Sequence, residues 1–334
     1  MKTKIALLAV IMLLAIGGLL SVNLRENTIY DPNIGTITGK AVAPLTVVRI
    51  GYLPIASDLS FFVAKENGQF QKHGLIVEPI KLQSSNQAID ALIAGRVDGT
   101  SIVALEALLA LEEKYPGEYV IYEVTAAEKD TEVHKIIVKK DSDIKTLKDL
   151  KGKTIGTFPG SQMKVFTKLV LGNYIDTSTI TIFQMAPALQ TQALASGQVN
   201  ALFTLEPVGT IAEKKGIARV IAVNPLYNEL LKPFPTAASV FSKEYANENP
   251  GAVASYVKAI EEAHDIIEKD KVQAKKEMEK YTSVGPEISS EIGTYKYWGV
   301  EEIDVDAIEK LIQLYVDNGL MKGPLDVESL IYRG

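Results

Sequence analysis

The stretch KTIGTFPGSQMK, residues 153–164, joins a strand to a helix through a tight turn. Thr154 to Gly156 has the pattern of a short buried strand, Phe158-Pro159-Gly160 that of a turn, and Ser161 that of a helix N-cap. A strand that ends, turns on glycine and opens a helix directs free backbone N–H groups and the positive end of a helix dipole at one point. Such a point suits an anion or a carbonyl oxygen. The ordinary alternative is a simple βα turn of an α/β domain.

The same order of elements occurs earlier in the chain. VVRIGYLPIASD, residues 47–58, again gives an apolar strand, a glycine, a proline-containing turn, and Ser57 or Asp58 placed to cap a helix. ALIAGRVDGTSIVALE (91–106) also matches ALASGQVNALFTLEP (193–207), and the aligned pairs are Gly95 with Gly197, Val97 with Val199, and Asp98 with Asn200. Two such modules predict two similar lobes. Because open α/β sheets bind ligands outside the carboxyl ends of their strands, we expect a ligand between the lobes.

The amino end has the pattern of an export segment. Lys2 and Lys4 precede an uncharged run, residues 5–22, and these lysines predict an amino end that stays inside the cell. Residues 1–22 are predicted to be a signal peptide or an N-terminal membrane anchor, and the poor cleavage site favours an uncleaved anchor. Residues 23–45 are predicted to be a flexible tether. The expected location is therefore extracytoplasmic, tethered to the cytoplasmic membrane.

Composition limits the possible partners and chemistry. The net charge is −6, and it becomes −8 without residues 1–22, which contain two lysines and no acid. An acidic body without a basic cluster argues against nucleic acid and anionic lipid surfaces as partners. The chain has no cysteine, which excludes disulfides, thiolate catalysis and zinc–cysteine sites. His73, His134 and His264 lack metal-ligand spacing, so no metal and no cofactor are expected.

Alternating strands and helices after residue 46 predict an α/β fold of two lobes, each a doubly wound, mainly parallel sheet. Residues 46–139 and 236–334 are assigned to lobe one, and residues 140–235 to lobe two. The last hundred residues read as helices that cover lobe one, including helices at 286–298 and 305–318. Lobe closure is expected to hinge at residues 138–142 and 232–237.

Three segments resemble one known family. GYLPIASDLSFFVAKENGQFQKHGLIVEPI (51–80), SDIKTLKDLKGKTIG (142–156) and Leu205-Glu206-Pro207 look like the shared patches of extracytoplasmic solute-binding proteins of ABC importers in the sulfonate, nitrate, taurine and thiamine-precursor group. The resemblance covers roughly residues 46–245. It implies a periplasmic-binding-protein-like (type II) fold and a monomer that hands a small molecule to a permease and its ATPase.

Polar residues at the predicted strand ends and helix starts are the candidate ligand contacts. In lobe one they are Tyr52, Pro54, Ser57, Asp58, Ser84, Ser85, Asn86, Thr100 and Ser101; in lobe two they are Gly160, Ser161, Gln162, Thr204 and Glu206. Hydroxyls, amides and backbone N–H groups bind neutral or anionic ligands without a full countercharge.

Each candidate also has a purely structural interpretation. The serines can be simple N-caps, Tyr52 a core aromatic, and Glu206 the cap of the next helix. An unpaired Glu206 in the cleft would instead favour a ligand with an amine or amino-pyrimidine N–H. The aromatic residues Tyr295, Tyr297 and Trp298 could stack on a planar ligand, although core packing is the default for a helix.

Three classes of function remain open at this stage. The first is solute capture for an importer. The second is a ligand sensor tethered to the membrane. The third is an enzyme, because the resembling group includes a pyrimidine synthase that consumes its own histidine and uses a cysteine cluster; the absence of cysteine here counts against it.

Overall fold

The computed structural model describes residues 22–23, 28–31, 35–38 and 45–334. Almost all of the predicted export segment therefore lies outside the described residues. Within them, no helix is both long and apolar enough to cross a membrane. In the predicted tether, Val22–Asn23 (β1), Thr28–Asp31 (β2) and Gly35–Thr38 (β3) form an antiparallel sheet where no strand was predicted. Their alternating Thr, Ile and Tyr residues suit a strand.

Residues 46–334 form one compact unit built on two sheets. The strands are Thr46–Tyr52 (β4), Leu75–Lys81 (β5), Gly99–Ala104 (β6), Tyr119–Ala127 (β7), His134–Lys139 (β8), Thr154–Thr157 (β9), Thr181–Gln184 (β10), Ala201–Leu205 (β11), Ala218–Val223 (β12), Phe234–Ser242 (β13) and Lys296–Gly299 (β14). The order in the lobe-one sheet is β14-β7-β13-β6-β4-β5, and in the lobe-two sheet β10-β9-β11-β8-β12.

Helices cover both sheets. They are Leu59–Glu66 (α1), Gln69–Lys72 (α2), Ser85–Ile93 (α3), Leu105–Lys114 (α4), Ser161–Gly172 (α5), Pro187–Ser196 (α6), Val208–Lys214 (α7), Pro225–Glu229 (α8), Lys243–Glu248 (α9), Pro250–Lys269 (α10), Lys271–Lys275 (α11) and Val305–Asp317 (α12). As predicted, the carboxyl-terminal helices cover lobe one: α10 packs on α1 and α2, and α12 packs on β13.

The two lobes repeat one pair of hydrogen bonds, which confirms the internal alignment made from the sequence. In lobe one the Arg49 N–H donates to Asp98 Oδ2 at 2.7 Å, and the Asp98 N–H donates back to the Arg49 carbonyl at 2.8 Å. In lobe two Thr154 and Asn200 make the same exchange, at 2.8 Å in both directions. Each pair ties the first parallel strand of its lobe, β4 or β9, to the start of the parallel strand beside it, β6 or β11.

A glycine stands at the same place in the first strand of each lobe. A Cβ atom on Gly51 would lie 2.6 Å from Leu82 Cδ1, and one on Gly156 would lie 2.6 Å from Leu202 Cδ2. Neither distance is compatible with ordinary packing. The close approach of neighbouring side chains therefore requires glycine at both positions.

The sheets are mixed rather than mainly parallel. In lobe one β4 runs parallel to β5 and β6, whereas β13 is antiparallel to β6 and β7. In lobe two β9 runs parallel to β10 and β11, whereas β8 is antiparallel to β11 and β12. The prediction of mainly parallel sheets failed because a strand buried on both faces shows the same continuous apolar run whether it pairs in parallel or antiparallel.

The lobe boundaries also differ from the prediction. The strand β8 was assigned to lobe one, but it pairs with β11 and β12 in lobe two. The chain therefore crosses between lobes at residues 128–133 and 224–233, not at 138–142. Residues 128–133 form a short polar segment that resembled an ordinary hairpin turn.

The predicted helix at 286–298 is wrong, because the only helical element there is the 3-10 turn Ser289–Glu291. Lys296–Gly299 is the edge strand β14, paired antiparallel with β7. Residues Tyr297 and Trp298 thus lie in the lobe-one sheet.

We predict that Gly156→Ala destabilises the protein by about 1–3 kcal/mol, because the new methyl group overpacks a filled core. It would also lie 3.1 Å from Met185 Cε and 3.3 Å from Val199 Cγ2. The matched control is Gly172→Ala, where the nearest atom is 4.0 Å away. Urea unfolding of both variants measures the difference, and equal midpoints would contradict the packing argument.

Candidate functional site

The first turn of lobe one faces the core of its own lobe. Residues Ala56–Asp58 form a buried 3-10 turn, and Asp58 Oδ2 accepts the Leu53 N–H at 2.8 Å. Burial, with a smaller contribution from the Glu123 carboxylate, raises the pKa of Asp58 well above its ordinary value. Asp58 Oδ1 is buried without a hydrogen-bond partner among the described residues. Asp58 is therefore biased toward its neutral, protonated form.

Tyr52 behaves as the core aromatic of the alternative interpretation. Its ring stacks on Phe61 at 5.9 Å and meets Phe62 and Tyr281 edge-on at 6.0 Å and 5.7 Å. Pro54 beside it is half-buried, and Ser57 is buried. These residues therefore serve mainly to pack the first turn, and they expose few polar groups.

The second helix start of lobe one is capped as predicted. Ser84 accepts the Gln87 N–H at 3.2 Å, which makes it the N-cap of α3. Ser85 Oγ accepts the Ala104 N–H at 3.0 Å, so the start of α3 is held beside the end of β6. The neighbouring Asn86 is exposed.

Thr100 and Ser101 lie inside β6 rather than after it. Both are buried, and Ser101 Oγ donates to the Gly51 carbonyl at 3.2 Å. The bounds predicted for the strand, Gly99–Ala104, are correct, but Thr100 and Ser101 were wrongly expected to follow it. Ala104 and Glu106 lie at the true end.

The helix start of lobe two meets lobe one. Gly160, with φ of 136°, occupies the N-cap position and α5 begins at Ser161, so Ser161 is not the N-cap that was predicted. The Tyr315 hydroxyl of lobe one donates to Gln162 Oε1 at 3.3 Å. One turn later, the Phe166 ring stacks on Tyr315 at 5.7 Å. The structure thus brings the start of α5 against α12, whereas no described contact joins it to the first turn of lobe one.

Glu206 is paired, which contradicts the predicted role of a free carboxylate. Its Oε1 lies 2.7 Å from Lys135 Nζ, with side-chain exposures of 0% and 7%. The Thr210 hydroxyl donates to Glu206 Oε1 at 2.9 Å, and the Thr210 N–H donates to Glu206 Oε2 at 3.3 Å. The Glu206 carboxylate therefore accepts a backbone N–H at the start of α7. Burial alone would lower the pKa of Lys135, but Glu206 outweighs burial and raises it. An ammonium on the ligand is not needed to balance Glu206.

Thr204 is also satisfied within its own lobe. It is buried and donates to Gln190 Oε1 at 2.6 Å. Sequence reasoning missed both Lys135 and Gln190 as partners, since each lies on a different element from the residue it contacts.

A second missed group is a buried polar network in lobe one. Glu123 accepts hydrogen bonds from Ser60 at 3.1 Å and Ser239 at 2.8 Å, and its other oxygen lies 2.5 Å from His264 Nε2. Ser239 also donates to the Ser101 carbonyl at 2.5 Å. This network links β6, β7 and β13 to α1 and α10.

The aromatic stretch on β14 is buried rather than open to a ligand. Tyr295 meets the His134 ring edge-on at 6.0 Å, and Tyr297 stacks on His264 at 5.5 Å. Trp298 Nε1 donates to Glu128 Oε1 at 3.1 Å. Within the described part of the chain, no three His, Asp or Glu side chains form a group that could hold a metal ion.

Asn224 joins the two crossovers and was missed. It is 3% exposed and is the one non-glycine residue with positive φ, 47°, in the described chain. Its side-chain amide donates to the carbonyl oxygens of Glu128, at 3.1 Å, and Thr131, and its Oδ1 accepts the Val133 N–H at 3.3 Å. Its own N–H donates to the His134 carbonyl at 2.7 Å. One side chain on the second crossover therefore satisfies the backbone of the first.

The comparison with known families gives one extended match. The NMT1-like family profile matches residues 41–282.

Two curated relatives match part of their own length. The nitrate import ATP-binding protein NrtC of Synechocystis sp. is 28% identical over 230 residues, which make up 64% of this chain and 34% of NrtC. The nitrate/nitrite binding protein NrtA of Nostoc sp. is 26% identical over 259 residues, 71% of this chain and 57% of NrtA. The chain thus spans about a third of one relative and little more than half of the other.

Solved structures share the fold. The periplasmic aliphatic sulphonate binding protein SsuA from Escherichia coli superimposes with a TM-score of 0.68 at 17% identity, covering 86% of this chain and 97% of SsuA. The desulfurization enzyme DSZB gives a TM-score of 0.64 at 15% identity, covering 86% and 96%. The predicted periplasmic-binding-protein-like fold is confirmed, and the same fold also occurs in an enzyme.

We predict that Asn224→Gly lowers the free energy of unfolding by about 1–3 kcal/mol, because the amides and carbonyls of the first crossover lose their partner. Asn224→Ala should cost about 1–2 kcal/mol more, since alanine is strained at positive φ. Urea unfolding compares the two variants. Equal stabilities would argue against the strain, and an unchanged Asn224→Gly variant would argue against the side-chain contacts.

We also predict that His134 makes the stability of the folded protein sensitive to acid. Burial lowers the pKa of His134 to about 3, whereas an unfolded histidine has a pKa of about 6.5. As the pH falls, the unfolded state binds the proton before the folded state does. The contribution of neutral His134 to the free energy of unfolding is therefore complete above pH 6.5 and is lost as the pH falls from 6.5 toward 3. Between pH 7 and 5, His134→Leu should remove about 2 kcal/mol of the pH dependence. Parallel stability curves for variant and parent would contradict the prediction.

Proposed function

The chain belongs to the NMT1-like family, and on that premise we propose that it is the extracytoplasmic solute-binding component of an ABC importer. It captures a small organic or oxyanion solute between its lobes and delivers it to a permease with its ATPase. Residues 5–22 serve as the membrane tether, and the chain works as a monomer.

The contact that carries this proposal is the one between Gln162 and Tyr315. It joins the helix start of lobe two to α12 of lobe one. Backbone N–H groups at a helix start favour an anionic or carbonyl oxygen. A solute that enters here is contacted from both sides, and it stabilises whichever arrangement of the lobes binds it more tightly.

We assign the ligand contacts to the predicted residues at strand ends and helix starts. Gly160, Ser161 and Gln162 contribute from lobe two, and Pro54, Ser57, Ser84 and Ser85 contribute from lobe one. Tyr52, Ser101, Thr204 and Glu206 instead support these elements, because they contact other residues of the protein core, and Thr100 is fully buried. Asp58 contributes a buried carboxyl group whose pKa is raised by burial.

The solute class is a sulfonate, taurine, nitrate or a thiamine pyrimidine precursor. The names of NrtA and SsuA support nitrate and sulfonate. A binding role rather than catalysis is favoured by the side chains, because the buried Glu206 is paired with Lys135 and the buried Glu123 accepts hydrogen bonds from Ser60 and Ser239 within the protein. The likeness to DSZB keeps an enzyme as the second candidate, and release of sulfite from an aromatic sulfinate would identify it.

A thermal-shift screen tests the proposal with taurine, methanesulfonate, nitrate, bicarbonate and an aminopyrimidine. At a hundredfold excess over Kd, a ligand adds about 2.7 kcal/mol of stability, which raises Tm by several degrees. Gln162→Ala should weaken the binding of the best ligand at least fivefold. The control Gln313→Ala, on an exposed face of α12, should leave binding unchanged. A screen with no shift, or equal loss in both variants, would overturn the proposed site.

A further inference from the structure

A cavity of about 400 Å³ lies beside the first crossover, and we propose that it is a second solute site that binds a small zwitterion. We call it the crossover cavity. Residues 128–132 of the first crossover form one wall, and the end of α10, α11 and the segment 291–296 form the others. Its volume falls within the range of small-molecule sites, about 300–1,000 Å³. None of the ligand contacts assigned above lines it.

Lys275 and Tyr295 are hydrogen-bond donors that line this cavity. Lys275 is half-buried, donates to the Ser290 carbonyl at 3.2 Å, and forms no ion pair with a described carboxylate. Burial and the neighbouring Lys271 lower the pKa of Lys275, which shows that its charge is poorly compensated. Tyr295 also lines the cavity and is 6% exposed, and its phenol is a further hydrogen-bond donor. An ammonium with spare donors and a phenol match a carboxylate or sulfonate oxygen.

The opposite wall carries free negative charge. Asp130 and Glu132 line the cavity and are exposed, and neither side chain forms an ion pair or hydrogen bond with a described residue. The other lining acids are engaged: Glu268 pairs with Lys271 at 3.2 Å, and Glu128 accepts from Trp298. The ammonium of a zwitterion would pair with Asp130 and Glu132, and its anionic end would pair with Lys275.

The position of the cavity couples its occupant to the lobes. Glu132 lies on the crossover, whereas Lys275 belongs to the carboxyl-terminal region of lobe one. The two walls already touch, because a Cβ on Gly293 would lie 2.2 Å from the Glu132 carbonyl oxygen. A zwitterion that bridges Lys275 and Glu132 fixes the crossover against lobe one and therefore changes the affinity of the site between the lobes.

The test is isothermal titration of the full chain with β-alanine, compared with propionate and propylamine, which each carry only one of its charges. β-Alanine should bind at least tenfold more tightly than either analogue. Lys275→Met and Glu132→Gln should each weaken it at least tenfold. Lys258→Met is the matched control, since Lys258 is an exposed lysine of α10 that does not line the cavity, and it should change binding less than threefold.

Two results overturn the inference. One is no β-alanine binding to the parent chain up to 10 mM, roughly the weakest binding that titration resolves; the other is equal binding to the parent and Lys275→Met. Gln162→Ala separates the two sites. If it abolishes β-alanine binding while Lys275→Met does not, the ligand sits between the lobes and the crossover cavity is empty. Failure of the thermal-shift screen alone leaves the titration result unaffected.

Discussion

The side chain of Asn224 holds together the two segments on which the position of the lobes depends. Two sheets that share no strand pairing are connected through residues 128–133 and 224–233, and Asn224 on the second segment bonds the backbone of the first. Buried backbone groups at such a crossing have no sheet to pair with, and leaving them unpaired costs about 1–3 kcal/mol each. Asparagine suits this place, because its amide both donates and accepts and because it tolerates a left-handed backbone. Asn224 consequently ties the two crossovers to each other.

Within each lobe a second constraint recurs. Asp98 and Asn200 each close the same two-way hydrogen bond with the first strand, and Gly51 and Gly156 let the neighbouring side chains approach that strand. The pairs are not chemically identical, since Arg49 adds an ion pair to Asp98 that the Thr154–Asn200 pair lacks. The shared part is the backbone exchange, which ties β4 to the start of β6 and β9 to the start of β11.

Much of the fold could be predicted from the sequence, and the predictions that failed have a common cause. The repeat of Gly, Val and Asp or Asn, the α3 N-cap at Ser84, and the helices over lobe one follow from local patterns. The lobe assignment of β8 and the edge strand at Lys296 depend on pairing between distant segments, which a buried apolar run does not encode. The Lys135–Glu206 ion pair joins residues 71 positions apart. Asn224 did leave a local signal, since Asn followed by Pro marks a turn, but only the structure shows what its side chain reaches.

These long-range partners also decide what kind of recognition the site between the lobes can offer. Glu206 is balanced by Lys135, Glu123 accepts hydrogen bonds from Ser60 and Ser239, and burial raises the pKa of Asp58. None of these buried acids presents a free charge, because an unpaired charge in that environment would be strongly destabilising. In the proposed site, selection among solutes would rest on hydroxyl, amide and backbone N–H groups, whose directions distinguish a planar nitrate from a tetrahedral sulfonate. Under that proposal, changes at Ser85, Gly160 or Gln162 would alter the preferred solute while the buried Lys135–Glu206 ion pair stays in place.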